Sequence, residues 1–396
     1  MSYIITFKLP DYVLKCIDTL RRRGFEAFAV GGCVRDALMG NEPKDYDVAT
    51  DALPHETISI FERVVETGVK FGTVTVLFGK NTVEVTTFRR ESEYSDSRHP
   101  DSVTFSHDIT ADLSRRDFTV NAMAYSPEAG LHDPFGGAAD IENKIIRTVG
   151  NPDGRFSEDA LRIMRAFRFS ARLGFEIEKK TLSSALRLSD NLKNISIERI
   201  QNELTATLLS PCPQSLEPLL CKGAFRFLGI GDTGNLSVLA LMPEDICVRL
   251  AAFLFLTGNG DHALSRFRMD NKTKAKTKKL LALFKNSRVE SRQEIKRAFQ
   301  VLTHEDVVVM YKARAALFGE NNISLIGMAD EIFRNGEPYC LSMLDISGGD
   351  LKSAGIPQGK QTGEMLGRLL DMVIDNPSMN NREMLLDAAK KFMCNL

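Results

Sequence analysis

Two aspartates in the run GGCVRDALMGNEPKDYD (residues 31–47) have the type and spacing to hold a metal ion. Asp45 and Asp47 are two residues apart, and on an extended segment such side chains point to the same side, with Cα atoms about 6–7 Å apart. Upstream, Gly32 and Arg35 supply a bare-backbone turn that a phosphate can approach and a cation to bind it. Together these groups suit nucleotidyl transfer. Taken alone, the run could also be a solvated acidic loop after a glycine turn.

A third acidic candidate, Glu84, lies in NTVEVTTF, where Val83 and Val85 alternate with it. Such an acid is either the solvent-facing side of a strand or, if this strand lies beside Asp45 and Asp47, a third carboxylate at the metal. Two metal ions about 3.5–4 Å apart require several anionic oxygens around them. We therefore include Glu84 among the catalytic candidates.

The run LSRRDFTVNAMAY (residues 113–125) offers Arg116 and Asp117. We expect Asp117 to cap the apolar segment that follows while an arginine reaches inward. A purely structural salt bridge is the alternative. The glycines of LHDPFGGAADI (residues 131–141) are interpreted as a hinge between an α/β region and the helices that follow.

The segment SEDALRIMRAFRFSARLGF (residues 157–175) predicts one helix with a line of charges. Asp159 and Arg162 are three apart and so neighbours on one face, and Arg165 and Arg168 continue along that side. An exposed arginine stripe is the ordinary interpretation. Near a nucleotide, however, a carboxylate accepts from the amino group that cytosine and adenine share, and arginine donates to ring acceptors. This pattern favours C and A over U and G.

The predicted secondary structure divides the chain into a region of mixed helices and strands and a helical region. Helices are expected at residues 11–23 and 54–64, strands at 25–30 and 46–49, and a hairpin at 72–78 and 82–88. The polar residues 89–102 are expected to form a mobile loop. After residue 156 the periodicity is helical, clearest at 159–173, 179–188 and 196–209.

Composition excludes several classes of protein. With 43% hydrophobic and 26% charged residues in 396, the chain is that of an ordinary globular protein. No run of 18 apolar residues and no basic leader is present, so we expect neither a membrane span nor secretion. Seven scattered cysteines without a CxxC pair indicate reduced thiols and a cytoplasmic protein.

The net charge of −1 hides a basic segment. Residues 251–300 hold twelve Lys and Arg against four Asp and Glu, centred on NKTKAKTKK. This segment is either a solvated helix face or a site for a polyanion such as RNA. The candidate RNA contacts are Lys272, Lys274, Lys276, Lys278 and Lys279.

Five ordered motifs resemble the class II tRNA nucleotidyltransferases, or CCA-adding enzymes, and their bacterial poly(A) polymerase relatives. They are GGCVRD…DYD, RRDFTVNAMA, the glycine turn at residues 133–140, EDxxR at residues 158–162, and SIERIQNE at residues 196–203. The resemblance covers about the first 205 residues. The segment from residue 348 to 370 is similar to the tail of shorter bacterial members.

The resemblance implies an α/β nucleotidyltransferase (palm-like) head followed by an all-α neck, body and tail, here residues 1–145, 146–210, 211–310 and 311–396. It implies Mg²⁺ at Asp45 and Asp47. It further implies triphosphate contacts at Gly32, Arg35 and Arg116, base selection by Asp159 and Arg162, and further nucleotide contacts at Arg165 and Arg168. Body and tail would bind the acceptor and TΨC arms of tRNA.

The implied reaction is addition of C, C and A to the tRNA 3′ end from CTP and ATP without a nucleic-acid template. The alternatives are an A-adding tRNA nucleotidyltransferase or a poly(A) polymerase. An intact loop at residues 89–102 counts against an enzyme that adds CC alone. The absence of a basic C-terminal extension counts against a poly(A) polymerase.

Overall fold

The computed structural model describes residues 8–91, 103–232, 234–286, 289–355 and 359–394. The chain divides into two compact units, Met1–Phe227 and Leu228–Leu396. The first is α/β and the second helical, which confirms the predicted fold class. The four-part division into head, neck, body and tail stays a prediction.

The first unit is built on a seven-stranded sheet with the order β3-β4-β5-β2-β1-β8-β9. Only β2 and β5 run parallel among its pairs, and the other neighbours are antiparallel. The hairpin predicted after residue 72 is confirmed as β4 and β5. The strands of the chain are β1 (Ala27–Val30), β2 (Asp47–Thr50), β3 (Val64–Gly68), β4 (Thr73–Phe78), β5 (Asn81–Thr87), β6 (Arg89–Glu91), β7 (Val103–Phe105), β8 (Ala124–Ser126), β9 (Gly130–His132), β10 (Ile145–Ile146) and β11 (Glu176–Ile177).

Apolar side chains cover the sheet on both faces, because alternate residues of β1 and β2 enter different clusters. Ala29 and Val48 pack with helix α1, whereas Val30 and Ala49 pack with Phe88 on the other face. The helices of this unit are α1 (Asp11–Arg22), α2 (Gly32–Leu38), α3 (Pro54–Ile60), α4 (Ile109–Ser114), α5 (Gly137–Glu142), α6 (Pro152–Glu158), α7 (Leu161–Leu173), α8 (Lys179–Arg187), α9 (Ile197–Leu208) and α10 (Glu217–Cys221).

The second unit is assembled from helices around a buried α11, where Val248 and Phe253 are fully enclosed. Its helices are α11 (Ile246–Thr257), α12 (Gly260–Arg266), α13 (Asn271–Asn286), α14 (Arg292–Phe299), α15 (His304–Phe318), α16 (Ile323–Arg334), α17 (Gly348–Ser353), α18 (Lys360–Asp375) and α19 (Arg382–Cys394). No helix in the described ranges is long and apolar enough to cross a membrane.

Three predicted elements differ from the structure. The helix expected at residues 54–64 ends at Ile60, because Phe61 turns to extended backbone and Val64 begins a strand that pairs with β4. Part of the expected loop is strand, since β6 pairs with β7; residues 92–102 lie outside the described residues. The helix expected at 157–175 is two helices, because Asp159 is extended (φ −145°, ψ 107°) between α6 and α7.

Candidate active site

Two carboxylates meet where β2 and β5 begin to run side by side. Asp47 and Glu84 are direct partners in the parallel register, and both line a pocket of about 760 Å³. Burial raises the pKa of Asp47, and the neighbouring Glu84 and, less strongly, Asp45 raise it further. A cluster of like charges of this kind favours the arrival of a cation. Glu84 thus lies on the strand beside Asp47, as a role at the metal requires, and that role stays a prediction.

The expected geometry of Asp45 is wrong. Because β2 begins at Asp47, Asp45 lies in the bend before the strand and is exposed, so strand alternation does not orient its side chain. It is not among the residues that line the pocket, although its charge reaches Asp47. The role of Asp45 as a metal ligand beside Asp47 stays a prediction.

The glycine turn after β1 leaves space for the side chain of Arg116. Gly31 has a positive φ of 76°, and a Cβ there would lie 2.7 Å from Nη1 of Arg116. Any side chain would both strain the backbone and displace the guanidinium. Gly31, Gly32 and Arg116 line the pocket together with Asp47.

Arg35 lines the same pocket but is 3% exposed and firmly held. Its Nε and Nη2 donate to Asp36 at 2.8 and 2.6 Å, and its Nη1 donates to Oδ1 of Asn121 at 2.6 Å. Asn121 in turn donates to Asp117 at 3.3 Å. The guanidinium predicted to meet a triphosphate is therefore fixed in place by neutral and anionic partners.

Asp159 and Arg162 line the pocket too, but not as the helical pair expected. Asp159 follows the end of α6, and its Oδ1 accepts from the backbone N–H of Leu161 at 2.9 Å. Arg162 pairs with Glu158, four residues before it. Each group that could read a base is thus oriented by its own partner.

The remaining arginines of α7 form a network of alternating charge. Arg165 pairs with Asp117 at 2.6 Å and lies 3.8 Å from Glu203, while Arg168 pairs with Glu203 at 2.5 Å. Burial by itself raises the pKa of Asp117, but Arg165 and the hydrogen bonds from Arg165 and Asn121 lower it below its ordinary value. The expected cap at Asp117 is corrected in part: it accepts from the N–H of Phe118, next to a short 3₁₀ turn.

The ring of Phe169 contacts three arginine side chains. Phe169, 5% exposed, lies beneath the guanidinium groups of Arg35, Arg165 and Arg168, at 5.5, 5.3 and 4.3 Å from its centroid. A ring face attracts cations electrostatically, so this phenylalanine helps to hold arginines from two helices at one pocket wall.

Comparison with known proteins agrees with this geometry. Residues 27–147 match the family model described as the poly A polymerase head domain, and residues 174–228 match the probable RNA and SrmB-binding site of polymerase A. The CCA-adding enzyme of Levilactobacillus brevis is 34% identical over 380 residues, covering 94% of this chain and 95% of its own length. The CCA-adding enzyme of Streptococcus mutans is 34% identical over 397 residues, 96% of each chain.

The chain belongs to the CCA-adding enzyme family of nucleotidyltransferases. Its fold is similar to the crystal structure of the Bacillus stearothermophilus CCA-adding enzyme in complex with CTP, with a TM-score of 0.83, 29% identity and coverage of 98% of this chain and all of the other. The Thermotoga maritima CCA-adding enzyme complexed with tRNA, at 20% identity and a TM-score of 0.66, shares the fold.

The family's metal chemistry requires oxygen ligands, and the carboxylate cluster supplies them. Within the described ranges, no three His, Cys, Asp or Glu side chains converge closely enough to form a complete metal cage. Magnesium is usually bound by one or two carboxylates together with substrate phosphates. Asp47 and Glu84 at the pocket wall fit that requirement, with nucleotide phosphates as the remaining ligands.

The predicted basic segment is the exposed part of α13, but three of its lysines are used within the chain. Lys276 bridges Asp245 and Asp306 at 2.9 and 2.6 Å, which argues against it as an RNA contact. Lys274 and Lys279 donate to backbone carbonyls of neighbouring segments. Lys272 and Lys278 are exposed and remain predicted RNA contacts.

Four arginines that line the pocket are missing from the predicted site: Arg89, Arg115, Arg172 and Arg199. Arg199, in α9, donates from Nη2 to Oδ2 of Asp159 at 2.7 Å. It lies within the motif SIERIQNE and four residues before Glu203, so both occupy one face of that helix. That spacing indicates a charged face on α9, but it does not identify the residues that this face contacts.

Proposed function

We propose that this chain adds C, C and A in turn to the 3′ end of tRNA, with CTP and ATP as substrates and Mg²⁺ as cofactor, in the cytoplasm. One observation carries the proposal: Asp47 and Glu84 of the sheet share a pocket with Asp159 and Arg162. A nucleoside triphosphate spans such a pocket, with its phosphates at the carboxylates and its base at the other end.

At the carboxylate end, Asp47 and Glu84 would hold Mg²⁺, which supplies charge neutralisation for the triphosphate when bound. The oxygen of the tRNA 3′-hydroxyl forms a bond to the α-phosphorus, the bond from that phosphorus to the bridging oxygen breaks, and pyrophosphate leaves with its electron pair. The carboxylates orient the reacting groups, and the proton of the 3′-hydroxyl passes to solvent water. Positioning and electrostatics provide most of the rate in such transfers.

At the phosphate end, the cations on offer are Arg116 and Arg168, which line the pocket and pair with Asp112 and Glu203. The Gly31–Gly32 backbone lets phosphate oxygens approach closely. These groups favour the more negative β- and γ-phosphates, so the departing pyrophosphate is stabilised where its charge develops.

At the base end, Asp159 accepts and Arg162 donates. Cytosine and adenine each present an amino donor beside a ring-nitrogen acceptor, whereas uracil and guanine present a carbonyl beside a ring N–H. The pair therefore suits C and A and rejects U and G. A single pair that accepts both C and A explains how one pocket serves CTP and ATP.

The RNA would be bound by the helical regions, through its acceptor and TΨC arms. Support comes from the match of residues 174–228 to an RNA-binding model and from the exposed Lys272 and Lys278. Lysines on a helix face bind phosphates without reading sequence, as suits an enzyme that serves every tRNA.

Product sequencing tests the proposal. Purified protein is incubated with tRNAs ending before CCA, after C, after CC and after CCA, with CTP and ATP together and separately. We expect completion to CCA from the first three and no extension of the last. ATP incorporation only onto the CC-ended tRNA would assign the A-adding activity instead, and long A tracts would assign a poly(A) polymerase.

A further inference from the structure

We infer that Arg199 is a positioning residue for nucleotide choice. Its guanidinium fork, the two Nη atoms, holds the carboxylate of Asp159 so that this carboxylate accepts a hydrogen bond only from the amino group of a base. This inference rests on the proposed function. It concerns a residue outside the helix that carries Asp159 and Arg162, and it acts through Asp159.

The backbone at Asp159 does not orient its side chain as a helix would. The residue is extended and follows the end of α6, so the carboxylate is fixed by the groups that donate hydrogen bonds to it. Oδ1 accepts from the N–H of Leu161, and Arg199 closes the other side, with Nη2 at 2.7 Å from Oδ2 and Nη1 at 3.5 Å from Oδ1. A two-pronged guanidinium sets the plane of a carboxylate as well as its position.

Helix α9 is fixed firmly enough to impose that plane. Ile200 and Leu204 are buried at its contact with neighbouring helices. On the same helix, Glu203 pairs with Arg168. One face of α9 therefore presents a cation to Asp159 and an anion to Arg168, so a single rigid element orients both signs of charge in the pocket.

The fixed carboxylate has a direct consequence for the choice of base. An ionised carboxylate has about four lone-pair sites, and Leu161 and Arg199 occupy those on one side. The rest face a base edge at one angle, where the amino group of C or A donates and the carbonyl oxygen of U or G is repelled. Without the fork, the carboxylate can rotate, and the repulsion that rejects U weakens.

The experiment measures the ratio of kcat/KM for CTP to that for UTP on tRNA ending before CCA. Three variants are compared with wild type: R199Q, which removes the fork; R199K, which keeps the charge on a single point donor; and R187Q as the matched control. Arg187 pairs with Asp153 in the same helical region, is 59% exposed at its side chain and does not line the pocket. Thermal unfolding of each variant verifies that it is folded.

We expect R199Q to lose about tenfold or more of the CTP preference, the size of one good base contact. R199K should lose an intermediate factor, and R187Q should keep the wild-type ratio. A wild-type ratio in both Arg199 variants would overturn the inference, as would an equal loss in R187Q.

A double-mutant cycle separates action through Asp159 from direct contact with the nucleotide. In D159N the acceptor is already altered, so adding R199Q should change the ratio no further. A further loss in the double variant would show that Arg199 contacts the nucleotide itself and would overturn the positioning role. If wild type adds only A, the proposed function fails, and the ratio for ATP against GTP on CC-ended tRNA then tests Arg199 in the same way.

Discussion

Asp47 and Glu84, partners across β2 and β5, line the same pocket as Asp117, which pairs with Arg165 of α7, yet the two groups of charges are balanced in opposite ways. Asp47 faces Glu84, a like charge, and its pKa is raised by burial and by that neighbour. Asp117 is buried as well, but Arg165 and Asn121 lower its pKa. The negative charges of Asp47 and Glu84 can therefore be balanced by an added cation, whereas the charge of Asp117 is already balanced by Arg165.

This difference separates two tasks. A site that recruits a metal and a polyanionic substrate gains from unbalanced charge, because the incoming ion relieves the repulsion. A site that reads a base gains from groups held still before the base arrives, which requires an internal partner for each. The same residue type, aspartate, is therefore expected to respond to substitution with opposite effects on stability in the two regions.

The sharpest test of the comparison is Asp47→Asn. We expect nucleotide addition to fall on the order of 10³-fold, because the variant loses a charge that a metal-dependent transfer requires. Without divalent cation, the melting temperature should rise, because like-charge repulsion with Glu84 is removed. Single-turnover CTP incorporation and thermal unfolding measure the two effects, with Asp18→Asn on α1, outside the pocket, as the matched control.

The pH dependence of that stability gain follows from the raised pKa of Asp47. The ionised form is less stable in the folded state, so its penalty is present above the folded pKa and disappears as pH falls below the unfolded value of about 3.9. The advantage of D47N should therefore be full at neutral pH and absent in acid. A destabilised D47N, or near-normal activity, would contradict the assignment of this region.

Asp117→Asn should act in the opposite direction. Removing the carboxylate leaves Arg165 without its closest partner, and we expect a loss of about 2 kcal/mol in the free energy of unfolding, less than for a fully buried pair because Arg165 is a third exposed. Denaturant unfolding measures it. Unchanged stability would show that Glu203 alone suffices to hold Arg165.

The lowered pKa of Asp117 also predicts how its contribution to stability changes with pH. Because the folded pKa of Asp117 is lowered, its contribution is full above the unfolded pKa of about 3.9 and is lost as pH falls through the folded value. The difference in the free energy of unfolding between wild type and D117N should therefore disappear in acid. The difference between wild type and D47N should disappear there as well, although D47N is the more stable protein at neutral pH and D117N the less stable one. Stability changes of the same sign in D47N and D117N at neutral pH would contradict the difference between the two regions.

The sequence is enough to predict nine of the residues that line the pocket, because local motifs name them, but not how they are partnered. Of the ten predicted catalytic and nucleotide-binding residues, the pocket is lined by all but Asp45. The break before α7 has no glycine or proline to mark it, so the sequence pattern predicts Asp159 within a helix. Its partner Arg199 lies 40 residues away, a separation that no periodicity reveals.

The lysines of α13 illustrate the same limit. Their spacing predicts a basic helix face, and the helix is present. The acids that neutralise Lys276 belong to the cap of α11 and the first turn of α15, distant in sequence. A charge run thus predicts an exposed face correctly but does not tell which of its charges remain available.

The smallest expected effect extends the comparison to that helix. Replacing Lys272 or Lys278 by Gln should weaken tRNA binding severalfold and reduce the slope of log affinity against log salt by about 0.7–0.9 for each lysine that contacts a phosphate. Lys276→Gln should leave the slope unchanged and instead destabilise the fold by about 1 kcal/mol, because Asp245 and Asp306 lose their shared cation, which is partly exposed to solvent. Filter binding over a salt series and denaturant unfolding separate the two. A slope change in K276Q equal to that of K278Q would mean that RNA phosphates compete successfully with two carboxylates for one lysine, and internal partners would then no longer distinguish structural charges from binding charges in this protein.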